Sequence, residues 1–499
     1  MLPTPRTDLV ANSADFERLP FVKPTGFREY DARWLFGDEI NLQGIHALGA
    51  GLGTQMYEAG IRPAIAVGHD YRSYSASIKY ALISGLMAAG IEVHDIGLAV
   101  SPMAYFAQFA LDVPAVAMVT ASHNENGWTG VKMGMERPLT HGPDEMARLR
   151  DIVLNGEAKL RTGGGYVYVP DLAERYLDDL TQGVKLKRKL KVVAACGNGT
   201  AGAFSPAALE RIGCEVIPLD ADLDYTFPRY NPNPEDMEML HAMRDAVLEH
   251  GADIGLGFDG DGDRCGVIDD EGDEIFADKV GLIMARDLAR QHPGSQFVVD
   301  VKSTGLFLTD PVLKEQGCTT DYWKTGHSYM KRRVNALGAL AGFEKSGHYF
   351  LGGAIGRGYD DGTLTAIRLC EMMDRAPDKK FSDLKKELGH TYSSPTMAPY
   401  CADEKKYQIV DQMIAEFEKA YANGETVLGE EIKELVTVNG VRVHLADGTW
   451  GLVRASSNKP SLVVVVESPV SEEKMRGMFA NIDARLQATG AVGDYDQKL

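Results

Sequence analysis

Three aspartates alternate with other residues in Gly257-Phe258-Asp259-Gly260-Asp261-Gly262-Asp263-Arg264. Glycine between them permits tight turns of the backbone. Carboxylates ~5 Å apart at an effective dielectric of ~20 repel by roughly 3 kcal/mol per pair. Such a loop is costly unless a cation sits inside it. Oxygen donors alone, with no Cys or His within Asp259–Asp263, select a hard ion such as Mg²⁺. An EF-hand does not fit, because its sixth position requires Gly and Arg264 stands there. A plain Asp/Gly surface turn is the competing reading.

Three other stretches carry chemistry. Thr120-Ala121-Ser122-His123-Asn124-Glu125-Asn126-Gly127 follows an apolar run, and a Ser at the carboxyl end of an α/β strand is well placed to meet a ligand. No GxSxG elbow surrounds it, and His123, as an immediate neighbour, is expected to diverge from the Ser122 side chain rather than serve as its base. Gly342-Phe343-Glu344-Lys345-Ser346-Gly347-His348 offers Glu and Ser as short hydrogen-bonding groups for adjacent sugar hydroxyls. Arg454-Ala455-Ser456-Ser457-Asn458-Lys459-Pro460 offers a bidentate guanidinium, hydroxyls and backbone amides for a phosphate. Taken singly, each of these three also reads as an ordinary polar loop.

The elements that must position these loops follow from hydrophobic pattern. Ala64–Gly68, Ile91–Ile96 and Ala115–Thr120 read as strands and Ser75–Ala89 as a helix. Leu190–Ala195, then a helix over Ala203–Ile212, restarts the rhythm, as does Ser295–Val301 followed by a helical pattern over Gly305–Glu315. Ile254, Leu256 and Phe258 before the aspartates, and Val267-Ile268 after them, predict strand-loop-strand. The β-α-β alternation predicts α/β architecture with largely parallel sheets. Near the end, Val441–Leu445 alternates, Leu462–Val466 is apolar, and Met475, Met478, Phe479, Ile482 and Leu486 recur at helical spacing after Ser471. That order predicts a small α+β domain.

Composition bounds the partners. The chain has 499 residues, 44% apolar and 25% charged, which is ordinary for a folded protein, and at ~150 residues per domain it has room for roughly three domains. A net charge of −19 argues against nucleic acid and anionic membranes as partners. No apolar run approaches a bilayer span, and the first twenty residues hold no apolar leader core. Six scattered cysteines without a CxxC pair point to reduced thiols in the cytoplasm.

In their order, the Ser loop, the Asp-Gly loop, the Glu-Ser loop and the Arg-Ser loop resemble the α-D-phosphohexomutase family, closest to its bacterial phosphomannomutase/phosphoglucomutase branch. Phe27-Arg28-Glu29-Tyr30-Asp31, Val67-Gly68-His69-Asp70, Asp300-Val301-Lys302 and Trp323-Lys324-Thr325-Gly326-His327 support the resemblance, which runs from about Phe27 to the C-terminal helix. It implies three related α/β domains and a smaller C-terminal α+β domain around a central cleft, here placed at 1–165, 166–272, 273–388 and 389–499. It implies movement of a phosphoryl group between O1 and O6 of mannose or glucose phosphate through a phosphoserine and a 1,6-bisphosphate. Ser122 would be the phosphoserine; Asp259, Asp261 and Asp263 would hold Mg²⁺ together with a Ser122 phosphoryl oxygen. Arg264 would add positive charge, and Lys132 and His348 would serve as general acid or base. Arg28, Tyr30, Lys302, His327, Glu344, Ser346, Arg454, Ser456, Ser457 and Asn458 would bind substrate. The resemblance further implies a hexose 1,6-bisphosphate activator, sugar phosphates as partners, and a monomer or homodimer.

The chain departs from the family pattern at Glu125, where many members have Pro, at Phe343 and Lys345 beside the sugar-loop Glu, and at Asn458, often Thr. A phosphoglucosamine mutase, which shares a similar Glu-x-Ser-Gly-His loop, and a non-catalytic sugar-phosphate-binding homologue are the competing readings. A Ca²⁺-binding structural protein is a more distant one.

Overall fold

The computed structural model describes residues 3–457, 459–497 and 499. Chain packing divides it into two compact units, Met1–Ala277 with Ser346–Asp383, and Asp278–Lys345 with Leu384–Leu499.

The first unit holds two α/β sheets. In one, the strands run in the order Ala32–Leu35, Trp128–Gly134, Ala115–Val119, Ala64–His69, Glu92–Leu98, Gly165–Tyr168. The last four are parallel, and Trp128–Gly134 joins antiparallel to Ala115–Val119. The apolar runs of Ala64–His69 and Ala115–Val119 are buried on both faces, as strands covered by helices on either side must be. In the other, the order is Glu274–Ile275, Cys265–Asp269, Ile254–Phe258, Lys191–Ala195, Glu215–Leu219. The expected strand-loop-strand is present: Phe258 pairs with Cys265 across an antiparallel ladder, so Asp259–Arg264 is the connecting loop. The largely parallel pairing expected is present, and antiparallel strands close one end of each sheet, where no crossover helix is needed.

Small residues set the helix packing. Leu42–Glu58 and Ser75–Ala88 cross with Gly49 and Gly85 at the contact. A Cβ on Gly85 would strike the His46 carbonyl, and one on Gly49 the Leu82 carbonyl. The helices therefore touch backbone to backbone, which only glycine allows there.

In the second unit, Thr319–Trp323, Gln296–Asp300 and Ala341–Phe343 form a parallel sheet segment. The helical stretch after it is two short helices, Leu306–Thr309 and Pro311–Glu315. They break at Asp310 because Pro311 disfavours a helical residue before it. The C-terminal part is an antiparallel sheet with the helices Asp403–Ala422 and Glu472–Ala488 packed against it; Ser471 caps the second of these. Val441–Leu445 departs from its alternating pattern, since both faces are buried. Arg442 lies 3.6 Å over the Trp450 ring and 4.2 Å over Tyr322, and donates to the Val301 and Ser303 carbonyls and to His444 Nε2. Cation–π contacts and carbonyl acceptors replace the water that a charged face would require. Among the described residues no helix is long and apolar enough to cross a membrane.

Gly85→Ala is expected to lower the thermal midpoint. Helix propensity favours Ala by ~1 kcal/mol, but the collision is with backbone and no rotamer relieves it, so overpacking of about 1–3 kcal/mol dominates. Parallel thermal melts read the difference; an unchanged or higher midpoint would contradict the helix contact.

Candidate functional site

The site in the first unit assembles where two sheets end. The strand Ala115–Val119 runs into the serine loop, and Ser122 there has φ +52°. Left-handed backbone costs a non-glycine residue about 1–2 kcal/mol, so the surroundings must hold it. Ser122 N–H donates to Thr120 Oγ1 at 2.8 Å. The Ser122 carbonyl lies so close to Gly260 that a Cβ there would come within 2.5 Å of it. Glycine at 260 is thus what lets the two loops meet. Ser122 Oγ donates to Asp259 Oδ2 at 3.1 Å.

Asp259, Asp261 and Asp263 are all 0% exposed, which excludes the solvated-turn reading. The loop is pinned through its backbone: Ser101 N–H donates to the Asp261 carbonyl, Thr200 N–H to Gly260 and Gly362 N–H to Gly262. One oxygen of each aspartate lies within 4.8 Å of the others. Asp261 Oδ1 and Asp263 Oδ1 accept no hydrogen bond. Converging, buried, oxygen-only donors with spare lone pairs fit a hard divalent cation such as Mg²⁺.

Cationic side chains answer the acidic cluster. Lys132, on the strand Trp128–Gly134, donates to Asp261 Oδ2 at 2.7 Å and Asp263 Oδ2 at 2.5 Å. Burial alone would lower its pKa, but Asp261 and Asp263 hold it well above the ordinary lysine value. Burial would likewise raise Asp261, yet Lys132 and the Ser101 hydroxyl, which donates at 2.5 Å, bring it below the usual range. Asp259 has no such ammonium. Burial, then Asp263 and Asp261, push it up to about 8. Arg264 donates its own N–H to Asp259 Oδ1 at 3.3 Å, and its Nε lies 3.8 Å from Asp259 Oδ2.

His348 reaches this cluster because its segment bridges the loop: Arg264 and His348 pair antiparallel, and Cys265 N–H donates to the Gly347 carbonyl. Arg264 Nε donates to His348 Nε2 at 3.1 Å, while Nδ1 lies 3.1 Å from Asp360 Oδ2 and 3.6 Å from Asp263 Oδ1. Burial lowers the imidazole pKa, and Asp263 and Asp360 outweigh it, leaving a net rise. His123 does not diverge from Ser122. Its Nδ1 sits 3.2 Å from Ser122 Oγ, because the left-handed turn swings the neighbouring side chains together. Burial, Arg264 and Arg33 push its pKa well down, so a neutral ring flanks the hydroxyl.

Of the sequence-derived candidates, the structure brings together Ser122, Lys132, Asp259, Asp261, Asp263, Arg264 and His348. Arg28, half-buried, Tyr30, buried, and Ser346, half-buried, lie in the same unit. Lys302, His327, Glu344 and Arg454 are buried in the second unit, and Ser456 and Ser457 half-buried there. Glu344 Oε1 accepts from Gly326 N–H at 2.5 Å, beside His327, and Arg454 donates to the Ala455 carbonyl at 2.8 Å. Asn458 lies outside the described residues. The departures resolve into separate roles. Phe343 is core, stacked on Phe307. Lys345 Nζ donates to the Ser394 carbonyl at 3.3 Å. Glu125 is exposed.

Sequence reasoning missed several participants. Arg33 donates to Asn124 Oδ1 at 2.7 Å and to Asp31 Oδ2 at 2.8 Å, tying the N-terminal strand to the serine loop. Ser101 and Asp360 contact the cluster as described. Arg33 stands two residues beyond Asp31, and Asp360 opens an Asp-Asp pair in a Gly-rich turn; those were the available signals.

The family models for phosphoglucomutase/phosphomannomutase match in order: alpha/beta/alpha domain I over 24–159, domain II over 174–272, domain III over 276–392, and the C-terminal domain over 401–485. The phosphomannomutase/phosphoglucomutase of Pseudomonas putida is 35% identical over 450 residues, covering 90% of this chain and 93% of that protein. That of Pseudomonas aeruginosa is 32% identical over 469 residues, covering 93% and 96%. The crystal structure of a phosphoglucomutase/phosphomannomutase family protein from Burkholderia thailandensis superposes with a TM-score of 0.85 at 29% identity, covering 96% of this chain and all of that one. Three α/β domains and a C-terminal domain, matched along nearly the whole length, place this chain in the phosphoglucomutase/phosphomannomutase family, the phosphohexomutase isomerases of carbohydrate metabolism.

Proposed function

We propose that the protein moves a phosphoryl group between O1 and O6 of mannose or glucose phosphate, with Ser122 as the phosphoryl carrier and a hexose 1,6-bisphosphate as intermediate and activator. The observation that carries this reading is the 3.1 Å contact between Ser122 Oγ and Asp259 within the buried carboxylate cluster. A phosphoserine adds about −1.5 to −2 charges, and the surroundings must neutralise them. Asp259, Asp261 and Asp263 would hold a divalent ion with a Ser122 oxygen. When bound, that ion supplies charge neutralisation and polarises the transferring phosphoryl group.

The remaining chemistry belongs to the chain. Ser122 donates its phosphoryl group to a sugar hydroxyl, which loses its proton to a base; the bisphosphate then turns end for end and returns its other phosphoryl group to Ser122. Lys132 and His348 are the proposed acid and base. Each is buried beside the carboxylates, where the charge on one side chain responds to its neighbours. Arg264 balances negative charge as it develops. In the second unit Lys302, His327, Glu344, Arg454, Ser456, Ser457 and Asn458, and in the first Arg28, Tyr30 and Ser346, are assigned to the substrate. A phosphate grip must accept both orientations of the bisphosphate, so it reads features that both share. The proposed domain bounds are 1–165, 166–272, 273–388 and 389–499. A cytoplasmic setting, with sugar phosphates as partners and a monomeric or dimeric state, completes the proposal.

Phosphoglucosamine is the alternative substrate; kcat/KM on mannose, glucose and glucosamine 1-phosphates, with Mg²⁺ and a trace of glucose 1,6-bisphosphate, ranks the three. Ser122→Ala is expected to abolish turnover and the phosphate seen on the intact protein by mass spectrometry. Full activity in that variant would refute the carrier role. Asp261→Ala is expected to cut kcat by about a thousandfold, the rate equivalent of the several kcal/mol that a Lewis acid contributes. A chelator should reproduce the loss in the native enzyme, and added Mg²⁺ should reverse it; activity indifferent to the chelator would count against the ion site.

A further inference from the structure

The left-handed Ser122 has a second support that lies away from the carboxylates. Arg72 is 6% exposed and its guanidinium is aimed into the serine loop. Nη2 donates to the Ser122 carbonyl at 3.0 Å and to the Asn124 carbonyl at 2.6 Å. Nη1 donates to the Glu125 carbonyl at 3.2 Å and to Asn126 Oδ1 at 3.3 Å. One planar fork thus meets four acceptors spread over residues 122–126, and only a guanidinium offers that many donors in fixed directions.

Asp70, 2% exposed, holds the other end. Its Oδ2 accepts from Thr120 Oγ1 at 2.9 Å, from Ala121 N–H at 3.2 Å and from Arg72 Nε at 3.3 Å, and its Oδ1 accepts from Ser75 Oγ at 2.5 Å. The same Thr120 Oγ1 accepts the Ser122 N–H. Both peptide groups of Ser122, its N–H and its carbonyl, therefore trace back to the Asp70–Arg72 pair. Residues after the strand Glu215–Leu219 reach Arg72 and the serine loop: Arg72 Cζ sits 5.2 Å from the Phe227 ring centroid, Asn126 Nδ2 donates to the Tyr225 carbonyl, and Asn231 Nδ2 donates to the His123 carbonyl.

We infer that Arg72, anchored by Asp70, is a positioning residue that holds Ser122 in its left-handed conformation and so aims the hydroxyl, or the phosphoryl group it carries, at the carboxylate cluster. This rests on the reading of Ser122 as the phosphoryl carrier. Beyond its anchor Asp70, Arg72 donates to backbone oxygens and to one amide oxygen, none of which reacts. With its donors removed, Ser122 is free to relax to negative φ, and the side chain swings away from Asp259. The loss should fall on the transfer step, which depends on alignment to a fraction of an ångström, and not on sugar-phosphate binding.

The test compares native protein with Arg72→Lys, which keeps the charge but cannot span four acceptors, and Arg72→Gln. Turnover of glucose 1-phosphate is measured with Mg²⁺ and glucose 1,6-bisphosphate, alongside thermal midpoints and the rate at which intact mass reports phosphate on Ser122. The expected result is a fall in kcat of at least tenfold in Arg72→Lys and more in Arg72→Gln, with KM within twofold. Slower phosphate uptake by Ser122 and a thermal midpoint near native in Arg72→Lys should accompany it. If Arg72→Gln does not fold, Arg72→Lys decides alone. A folded variant with native kcat, or a KM that rises as far as kcat falls, overturns the inference. Native protein that neither turns over nor takes phosphate on Ser122 overturns the functional reading, and this inference with it.

Discussion

Three carboxylates gathered in a space closed to water are the constraint to which the first unit is built. Like charges at such spacing repel by roughly 3 kcal/mol a pair at an effective dielectric of ~20, and burial adds to the penalty. The protein supplies partial compensation in fixed positions. Lys132 bridges two aspartates, Ser101 donates to one of them, and Arg264 faces the third. The compensation is uneven: Asp261 is held ionised, whereas Asp259, next to the serine, is pushed up to about 8. Two aspartate oxygens are left without hydrogen bonds. Converging on one space, the three carboxylates offer oxygens that could hold a metal ion.

Bringing those groups together requires close backbone contact, and the fold provides it with small residues. Gly260 lets the Ser122 carbonyl approach the acidic loop, and the Gly262 carbonyl receives Gly362 N–H from the segment that also delivers Asp360 and Asp361. The helix pair bearing Gly49 and Gly85 packs on the sheet that carries the serine. Ser122 is thus strained locally but supported by a rigid frame, a pattern in which strain persists only because its surroundings over-determine it.

The second unit uses a comparable device for a different purpose. Glu467 is 2% exposed and accepts from Lys279, Thr304, the Gly305 N–H, Thr391, Ser393 and Trp450. Together with Arg442, which stands between Trp450 and Tyr322 with its Nη2 lacking a hydrogen-bond partner, it joins the parallel sheet segment to the C-terminal antiparallel sheet through buried charges. Breaking such a node by removing one partner leaves the other charge buried and unpaired, which ties the relative placement of these two sheets to a few side chains.

The strands Ala64–His69, Glu92–Leu98, Ala115–Val119, Lys191–Ala195, Gln296–Asp300 and Leu462–Ser468, the helices at Ser75–Ala88 and Glu472–Ala488, and the acidic loop between two strands were legible in the sequence because apolar periodicity and turn chemistry are local properties; the strands Ala32–Leu35, Trp128–Gly134 and Gly165–Tyr168 were not read from it. The clustering of Asp259, Asp261 and Asp263 was legible for the same reason: three carboxylates stand within five residues. What the chain order could not reveal is convergence. Arg33 reaches the serine loop across 91 positions of chain, Ser101 reaches Asp261 across 160, and Asp360 arrives beside His348 on a loop that docks there. Arg442 and His444 are polar letters in an alternating strand that reads as half-exposed, yet both are buried. Whether a charged side chain faces water or an aromatic ring depends on what packs opposite it, and neighbours distant in sequence set that. Local pattern therefore determined the elements and the donor types, while long-range packing decided which charges meet, how each is compensated, and that Ser122 takes the left-handed turn that aims it at Asp259.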